Sequence, residues 1–291
     1  MDRKQFLKKS IALGALGAAA PALISEAMAN RTSDYDKLAA QVGFNHLPNK
    51  EKKTMNTVLH KADTRGFADH GWLKSNHTFS FANYYNPERV HFGALRVLND
   101  DKVDGGKGFG THPHDNMEII SIPLAGDLEH KDSMGNVAVI KEGDVQVLSA
   151  GTGIFHSEYN KNEDEEVQFL QIWVFPNKKH VEPRYDQVAI NDLVQDNEIY
   201  QILSPNEDDQ GVWIHQDAWF SMANFTEDKE LQYDLHAEGN GVYAFVLEGD
   251  LNVDDQELSK RDGYGVWDTD KVTVNGKAGS KLLLMEVPMS I

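Results

Sequence analysis

Two short histidine motifs carry the residues of this 291-residue sequence that could do chemistry. His112 and His114 flank a proline, and further along the chain Glu158 follows two positions after His156. Residues i and i+2 of a β-strand project from the same face, so each motif presents two potential ligands to one side. Two such pairs on neighbouring strands of a barrel would bring three imidazoles and one carboxylate to a common point.

That ligand set is typical of an open transition-metal site. Imidazole and carboxylate suit Fe(II), Mn(II), Ni(II) or Cu(II), with one or two coordination positions left for water or substrate. The sequence contains no cysteine, which excludes disulfides, zinc ribbons, iron–sulfur clusters and thiol catalysis. Any metal must therefore be held by histidines and carboxylates. We interpret the other nine of the twelve histidines as structural or solvated: His46, His60, His70, His77, His91, His130, His180, His215 and His236.

The elements that would position these residues are predicted to be strands. Short β-branched and aromatic runs, separated by Gly, Asp and Asn, occupy residues 118–124, 137–140, 145–148, 167–175, 242–247 and 281–287. Many short strands at this spacing predict an all-β sandwich or barrel. After the N-terminal segment, helical periodicity is confined to residues 184–193, where we expect a helix.

An internal repeat predicts two β-domains of similar topology. The sequence Leu-Ala-Gly-Asp-Leu at residues 124–128 recurs as Leu-Glu-Gly-Asp-Leu at residues 247–251, and a second Gly turn follows each copy at similar spacing. The potential ligands of the first copy correspond in the second to residues that cannot bind a metal: Leu235, Ala237, Gly276 and Ala278. We therefore expect one divalent metal per chain and a structural second domain.

Both histidine motifs resemble those of the cupin superfamily. Gly110-x-His112-x-His114-xxx-Glu118 is similar to its first motif, and Gly153-xx-His156-xxx-Asn160 to its second. The segments Arg65-Gly66, Trp72, residues 77–81 and residues 151–158 narrow the resemblance to the pirin family of bicupins. It implies an all-β fold of two tandem cupin-type β-barrels (jelly rolls), the C-terminal one degenerate. It also implies that His112, His114, His156 and Glu158 bind the metal, whereas Glu118 does not.

The resemblance further implies an activity. Residues 115–117 are Asp-Asn-Met where eukaryotic pirins have Arg-Gly-Phe, which points to the short bacterial pirins and their quercetin 2,3-dioxygenase activity. The substrate would be a flavonol or a related enediol or catechol-like molecule, attacked by O₂. The metal would chelate the 3-hydroxy and 4-oxo oxygens of the flavonol. Glu158 would then act as the catalytic base. Fe(II) is the first candidate metal, with Mn, Ni or Cu as alternatives.

Two other functions remain open. The chain could be a non-enzymatic, metal-gated protein-binding module, in which the metal site controls capture of a partner without turnover. It could also be a sugar isomerase or epimerase on a cupin scaffold, which would convert its substrate without O₂.

The chain is predicted to consist of four segments. Residues 1–29 read as an export signal peptide, because a basic start precedes an apolar Ala/Gly-rich stretch and an Ala-Met-Ala site. The start also resembles a twin-arginine signal, with Arg3-Lys4 in place of Arg-Arg. A polar spacer follows at residues 30–53, then a metal-binding domain at 54–185 and a domain without ligands at 186–291. We expect a periplasmic protein.

Charge limits the partners of the chain. The formal net charge is −18, so the surface repels phosphate backbones and anionic lipid headgroups. We therefore expect no direct nucleic-acid binding and no membrane association once the signal is removed. The expected partners are a small-molecule substrate and O₂, and the expected oligomeric state is a monomer.

Overall fold

The computed structural model describes residues 54–291, so the predicted signal peptide and spacer lie outside the described part of the chain. Within it the chain is almost entirely β-strand, and its 3₁₀ turns span Ala62–Thr64 and Ile190–Asp192. No helix in this part is long and apolar enough to cross a membrane. The predicted all-β class with two cupin-type barrels is confirmed.

The N-terminal barrel consists of two sheets. The small N-terminal sheet has the order β5-β10-β7-β8 and contains β5 (Gly108–His114), β7 (Leu128–Asp132), β8 (Val137–Ile140) and β10 (Ile154–Asn160). The large N-terminal sheet contains β2 (Gly66–Asp69), β3 (Leu73–His77), β4 (Leu95–Val103), β6 (Glu118–Ala125), β9 (Asp144–Ser149), β11 (Val167–Val174) and β12 (Arg184–Ala189). Its order is β12-β9-β6-β11-β4-β3-β2.

The C-terminal barrel repeats this plan. Its small sheet has the order β16-β21-β18-β19 and contains β16 (Lys229–Asp234), β18 (Asp250–Val253), β19 (Gln256–Ser259) and β21 (Lys271–Gly276). Its large sheet contains β1 (Asn56–His60), β13 (Ile199–Ser204), β14 (Val212–Trp213), β15 (Trp219–Asn224), β17 (Asn240–Glu248), β20 (Gly263–Trp267) and β22 (Lys281–Pro288). Its order is β1-β20-β17-β22-β15-β13-β14.

The repeated Gly-Asp turn marks the same corner of each barrel. Gly126 connects β6 to β7 with φ 75°, and Gly249 connects β17 to β18 with φ 70°. A positive φ favours glycine, because other residues are strained in this region. The sequence repeat therefore reports a backbone requirement of the fold.

The two large sheets share one hydrophobic core. Ile120 and Ile122 of β6 belong to a buried cluster that also contains Ile202 and Phe220 of the C-terminal barrel. Side chains alternate along a strand, so Ile119 of the same strand points into the N-terminal barrel and joins a different cluster there. Each large sheet thus has one face toward its own barrel and one toward the other domain.

Strand β1 lies in the sheet of the other domain. It pairs antiparallel with β20 over its whole length, although it precedes the N-terminal barrel in sequence. Val58 packs against the core between the domains and Leu59 against the interior of the C-terminal barrel. At the other end, β12 pairs with β9, so the predicted division between residues 185 and 186 falls inside a strand of the N-terminal sheet.

The helix predicted at residues 184–193 is wrong. Residues 184–189 form β12, and only Ile190–Asp192 makes a single 3₁₀ turn. The hydroxyl of Tyr185 donates a hydrogen bond of 2.6 Å to Gln187, two positions along the strand. The ladder with β9 thus outweighs a weak local periodicity, as tertiary context often does.

Candidate metal centre

Strands β5 and β10 bring the three histidines together. His156 lies directly opposite His112 in the antiparallel register, and Ile154 lies opposite His114. The ring centroid of His112 is 4.4 Å from that of His156 and 4.9 Å from that of His114, and the His114 and His156 centroids are 4.8 Å apart. One nitrogen from each ring lies within 4.8 Å of the others. The spacing of the motifs thus becomes a three-imidazole cluster.

Glu158 faces the same barrel interior. His156 and Glu158 are buried on β10, whereas Phe155 just before them and Tyr159 just after them are exposed. The β5–β10 register shifts between His156 and Glu158, which is a β-bulge that places Glu158 opposite Phe109. An unbroken register would instead place Glu158 opposite Gly110.

Two donors from the large N-terminal sheet hold the Glu158 carboxylate. The hydroxyl of Ser121 donates to Oε1 at 3.1 Å, and the amide of Gln171 donates to Oε2 at 2.8 Å. The large sheet therefore orients the carboxylate, while strand β10 of the small sheet places it beside His156. Sequence reasoning identified neither Ser121 nor Gln171, because neither belongs to a motif.

His130 is a further buried histidine at the site that sequence reasoning assigned to structure or solvent. It lies opposite Glu158 on β7, and potential ligand atoms of His130, His156 and Glu158 all lie within 4.8 Å of one another. Its Nε2 is 3.1 Å from Asp132, and its Nδ1 is enclosed without a hydrogen-bond partner. Only the strand register reveals its place.

Burial keeps two of the clustered histidines, His114 and His156, neutral. It lowers the pKa of His156 to about 3, with further lowering by the neighbouring His112 and His130. Burial likewise lowers the pKa of His114 to about 4, and the other two histidines of the cluster add to this effect. Neutral imidazoles are the form that binds metals.

The donor set fits a divalent cation. His156 is 2% exposed, and both of its ring nitrogens are enclosed without a hydrogen-bond partner among residues 54–291. Buried polar atoms are nearly always satisfied in folded proteins, so an unpartnered imidazole between two others points to a ligand. Neutral imidazoles and a nearby carboxylate are donors that Fe, Mn, Ni and Cu accept.

Glu118 points away from this cluster. It lies on β6 three residues before Ser121, so its side chain projects from the opposite face of the strand. Its Oε2 accepts a 2.6 Å hydrogen bond from Ser149, and burial raises its pKa to about 7. The potential metal-binding groups of the described residues do not include it.

A cavity of about 470 Å³ opens next to the cluster. His112, His114 and Glu158 form part of its lining, and Trp173 stands edge-on to the His114 ring with centroids 4.9 Å apart. Other walls are aromatic, namely Phe67, Phe81, Tyr84 and Phe109. The cavity therefore suits a flat, mostly apolar molecule whose polar end reaches the histidines.

The floor of the N-terminal barrel carries a row of polar side chains. In the strand register, each member lies directly opposite the next across the large sheet. All are buried on the inner face of the barrel, where apolar side chains are more usual. We name this set the polar row; in order from β3 to β9 it comprises His77, Asn99, Gln171, Ser121 and Gln146.

The C-terminal barrel has no comparable cluster among the described residues, where the potential metal-binding groups all fall in the N-terminal barrel. Its interior holds a large apolar cluster, and Leu235 packs against that cluster. His236 instead bonds Glu286 through Nδ1 at 2.8 Å and stacks on Trp219.

Paired jelly rolls with a histidine cluster in the first define the chain as a two-domain cupin. A Pirin family model matches residues 53–174, and a model described as the quercetinase C-terminal cupin domain matches residues 201–287. The quercetin 2,3-dioxygenase of Escherichia coli (strain K12) is 42% identical over 230 residues, covering 79% of this chain and 98% of that protein. The chain belongs to the pirin family.

Two further comparisons, one of sequence and one of structure, also match pirins. A pirin-like protein of Caulobacter vibrioides is 36% identical over 225 residues, covering 77% of this chain and 96% of that protein. The crystal structure of the bacterial pirin YhhW of E. coli in complex with nickel(II) superimposes with a TM-score of 0.76 and 38% identity. It covers 81% of this chain and 100% of that chain.

Proposed function

We propose that this pirin is a metal-dependent oxidoreductase of the quercetin 2,3-dioxygenase type. It would use O₂ on a flavonol or a related enediol or catechol-like substrate. The observation that carries the proposal is the cluster of His112, His114 and His156 at the edge of an aromatic-walled cavity, with both nitrogens of His156 unpartnered. The name of the E. coli relative supports the choice of reaction.

In this proposal His112, His114, His156 and Glu158 hold one divalent metal. Fe(II) is the first candidate, and Mn, Ni or Cu are alternatives; the nickel(II) complex of the E. coli pirin supports a divalent ion at such a site. When bound, the metal supplies a Lewis acid for the paired oxygens of the substrate and redox chemistry with O₂.

The side chains of the protein bind and orient the substrate. Phe109 and Trp173 line the cavity and can pack against a flat ring while excluding water. Glu158 is the proposed base that takes the proton of the substrate's chelating hydroxyl. Its hydrogen bonds from Ser121 and Gln171 fix the carboxylate in place, as a general base requires.

The test is aerobic turnover of a flavonol by the purified protein, with O₂ uptake and carbon monoxide measured together. We expect one O₂ consumed for each ring opened, no turnover after chelation, and different recoveries when Fe(II), Mn(II), Ni(II) or Cu(II) is restored. His112→Ala should lose the activity. His236→Ala, which removes an imidazole from the other domain, is the matched control and should retain it.

Two results would reject this function. Flavonol loss at equal rates in the wild type and His112→Ala would be background autoxidation. Full metal occupancy without turnover would instead favour the metal-gated protein-binding module.

We further propose that residues 1–29 direct export to the periplasm. The support is the basic start, the apolar stretch and the Ala-Met-Ala site of the sequence. Fused to a reporter that is active only after export, this segment should give activity. A fusion with Arg3 and Lys4 both changed to Gln should reduce it, and equal activity would contradict a twin-arginine-like route.

A further inference from the structure

Both ends of the polar row lack hydrogen-bond partners, and the end formed by His77 and Asn99 is the one that lines the cavity. Among residues 54–291, no side-chain hydrogen bond involves the His77 ring or the Asn99 amide, and His77 Nδ1 and Asn99 Oδ1 are fully enclosed. His77 is 3% exposed and Asn99 2% exposed. Both residues line the cavity beside the metal centre. These are polar groups placed at a cavity wall with unused hydrogen-bonding capacity.

The middle of the row shows how its members are normally satisfied. Gln171 and Ser121 both donate to Glu158, which reaches down from the opposite sheet. The opposite sheet provides no such group for His77 or Asn99, and the cavity lies there instead. Because buried polar groups are nearly always hydrogen-bonded, their partner is expected to be a molecule in the cavity.

The strand order sets the distance of this end from the metal centre. Asn99 on β4 is next to Gln171 on β11, and His77 on β3 is one strand further. Neighbouring strands are about 4.8 Å apart, so the two side chains lie roughly 5 and 10 Å along the row from the Gln171 strand. A ligand that binds beside Glu158 must extend over this length to reach them.

The residues around His77 and Asn99 define which chemical group of a ligand could bind to them. Burial lowers the pKa of His77, so its neutral ring offers one donor and one acceptor. The ring of Phe81 meets His77 edge-on at 5.3 Å, which continues the aromatic wall. Asp101 lies in the next row, accepts a hydrogen bond from Ser75 and is buried. Burial raises the pKa of this carboxyl to about 7, and the same lack of solvent disfavours an anionic ligand group. A neutral hydroxyl on an aromatic ring meets all these conditions.

We propose that His77 and Asn99 form a second subsite, which binds a ring hydroxyl of the substrate at the end opposite its chelating oxygens. This inference rests on the proposed function for the chelating end. It names the substrate class as flavonols hydroxylated on their outer rings, or similarly shaped polyphenols, in preference to the unsubstituted 3-hydroxyflavone.

The experiment measures equilibrium binding rather than turnover. Nickel(II)-loaded and metal-free protein are titrated without O₂ with quercetin, which carries outer-ring hydroxyls, and with 3-hydroxyflavone, which lacks them. We expect the wild type to bind quercetin at least about tenfold more tightly, the effect of one well-made hydrogen bond. His77→Phe and Asn99→Leu should each reduce this ratio several-fold while leaving 3-hydroxyflavone binding nearly unchanged.

Gln146→Met is the matched control. Gln146 stands at the other end of the polar row with both amide atoms unpartnered, but it does not line the cavity. This variant should keep the wild-type ratio. Two different substitutions, with melting temperature and metal content measured for each, guard against one variant that fails to fold.

The outcomes separate the subsite from the reaction. Binding ratios that are equal in the wild type, His77→Phe and Asn99→Leu overturn the subsite, and so does the absence of flavonol binding to the wild type. A ratio that falls as expected in a protein that never consumes O₂ supports the subsite but rejects the dioxygenase function.

Discussion

At the scale of single residues, the site depends on His156, a buried side chain that makes no hydrogen bond within the described part of the chain. His156 is enclosed by His112, His114 and His130, and its nitrogens have no partner among the described residues. Removing it therefore leaves no other protein group unpaired. Loss of function and loss of fold can be separated at this position, which is unusual for a buried polar residue.

His156→Ala should weaken metal binding by about a hundredfold or more, because a ligand is lost outright and outer-sphere changes alone cost 10–100-fold. The melting temperature of the metal-free protein should change little. Metal content after dialysis against a mild chelator, measured beside thermal unfolding, checks both statements. Stoichiometric metal in the dialysed variant would place the metal elsewhere.

Glu158→Gln and Glu118→Gln make a matched pair of buried carboxylates. We expect Glu158→Gln to lose metal and Glu118→Gln to keep it, since Glu158 stands beside His156 whereas Glu118 bonds Ser149 on the opposite face. Calorimetric titration of each metal-free variant with Ni(II) measures this. If Glu118→Gln instead bound Ni(II) more weakly than Glu158→Gln, then Glu118 would be the metal ligand.

The sequence could predict the histidine cluster because its members are paired at i and i+2 on two strands. His77, Asn99 and His130 carry no such mark, since their relation to the site lies across strands that are far apart in sequence. Register is a tertiary property, set by which strands pair and where a bulge shifts them. The position of such residues at the site can be recognised only once the pairing of the strands is known.

At the scale of elements, β6 shows how one strand serves two environments. Ser121 faces the metal centre while Glu118 faces the core between the domains, and the period of two alone separates them. The sequence repeat and the turn glycines allowed the two barrels to be predicted. The same reasoning failed at β12, whose partner β9 decides its conformation.

Buried Glu118 should make the stability of the protein depend on pH. Its pKa is about 7 in the folded chain, above its ordinary value of 4.5, so between these values the folded state holds a proton that the unfolded state has released. Stability therefore falls as pH rises through this window and levels off above it. The effect is on the order of 3 kcal/mol at most.

Glu118→Gln should remove this dependence, because the amide carries no charge and its oxygen still accepts from Ser149. Urea unfolding of both proteins from pH 4.5 to pH 8 measures the difference. We expect the variant to gain stability relative to the wild type as pH rises. Other titrating groups act equally in both proteins, so parallel curves would contradict the prediction.

At the scale of the whole molecule, the two domains are joined by polar as well as apolar contacts. Arg261 of the C-terminal domain donates to Asp100 of the N-terminal domain at 3.0 Å, and Arg65 approaches the same carboxylate at 3.5 Å. All three side chains are buried beside the shared core of the large sheets. We expect this core to make the two barrels unfold as one unit.

Asp100→Ala should lower the free energy of unfolding by about 3–5 kcal/mol, because it leaves two buried guanidinium groups unpaired. Lys102→Ala on the same strand is the control, since its pair with Glu166 is exposed and such pairs contribute about 0–1 kcal/mol. Calorimetry should show one transition in the wild type. Equal decreases in the free energy of unfolding in both variants would show that the ion pairs of Asp100 do not stabilise the protein.

The exchanged strand β1 has a consequence for how the chain is made. Among residues 54–291 it is the first strand to leave the ribosome, yet its partner β20 at Gly263–Trp267 is one of the last. The N-terminal barrel can form on the nascent chain while β1 waits, with a long loop still to be closed. A chain that stops early would keep an unpaired β1, and such exposed strands invite aggregation and proteolysis. The pairing of β1 with β20 can therefore form only after nearly the whole chain has been synthesised.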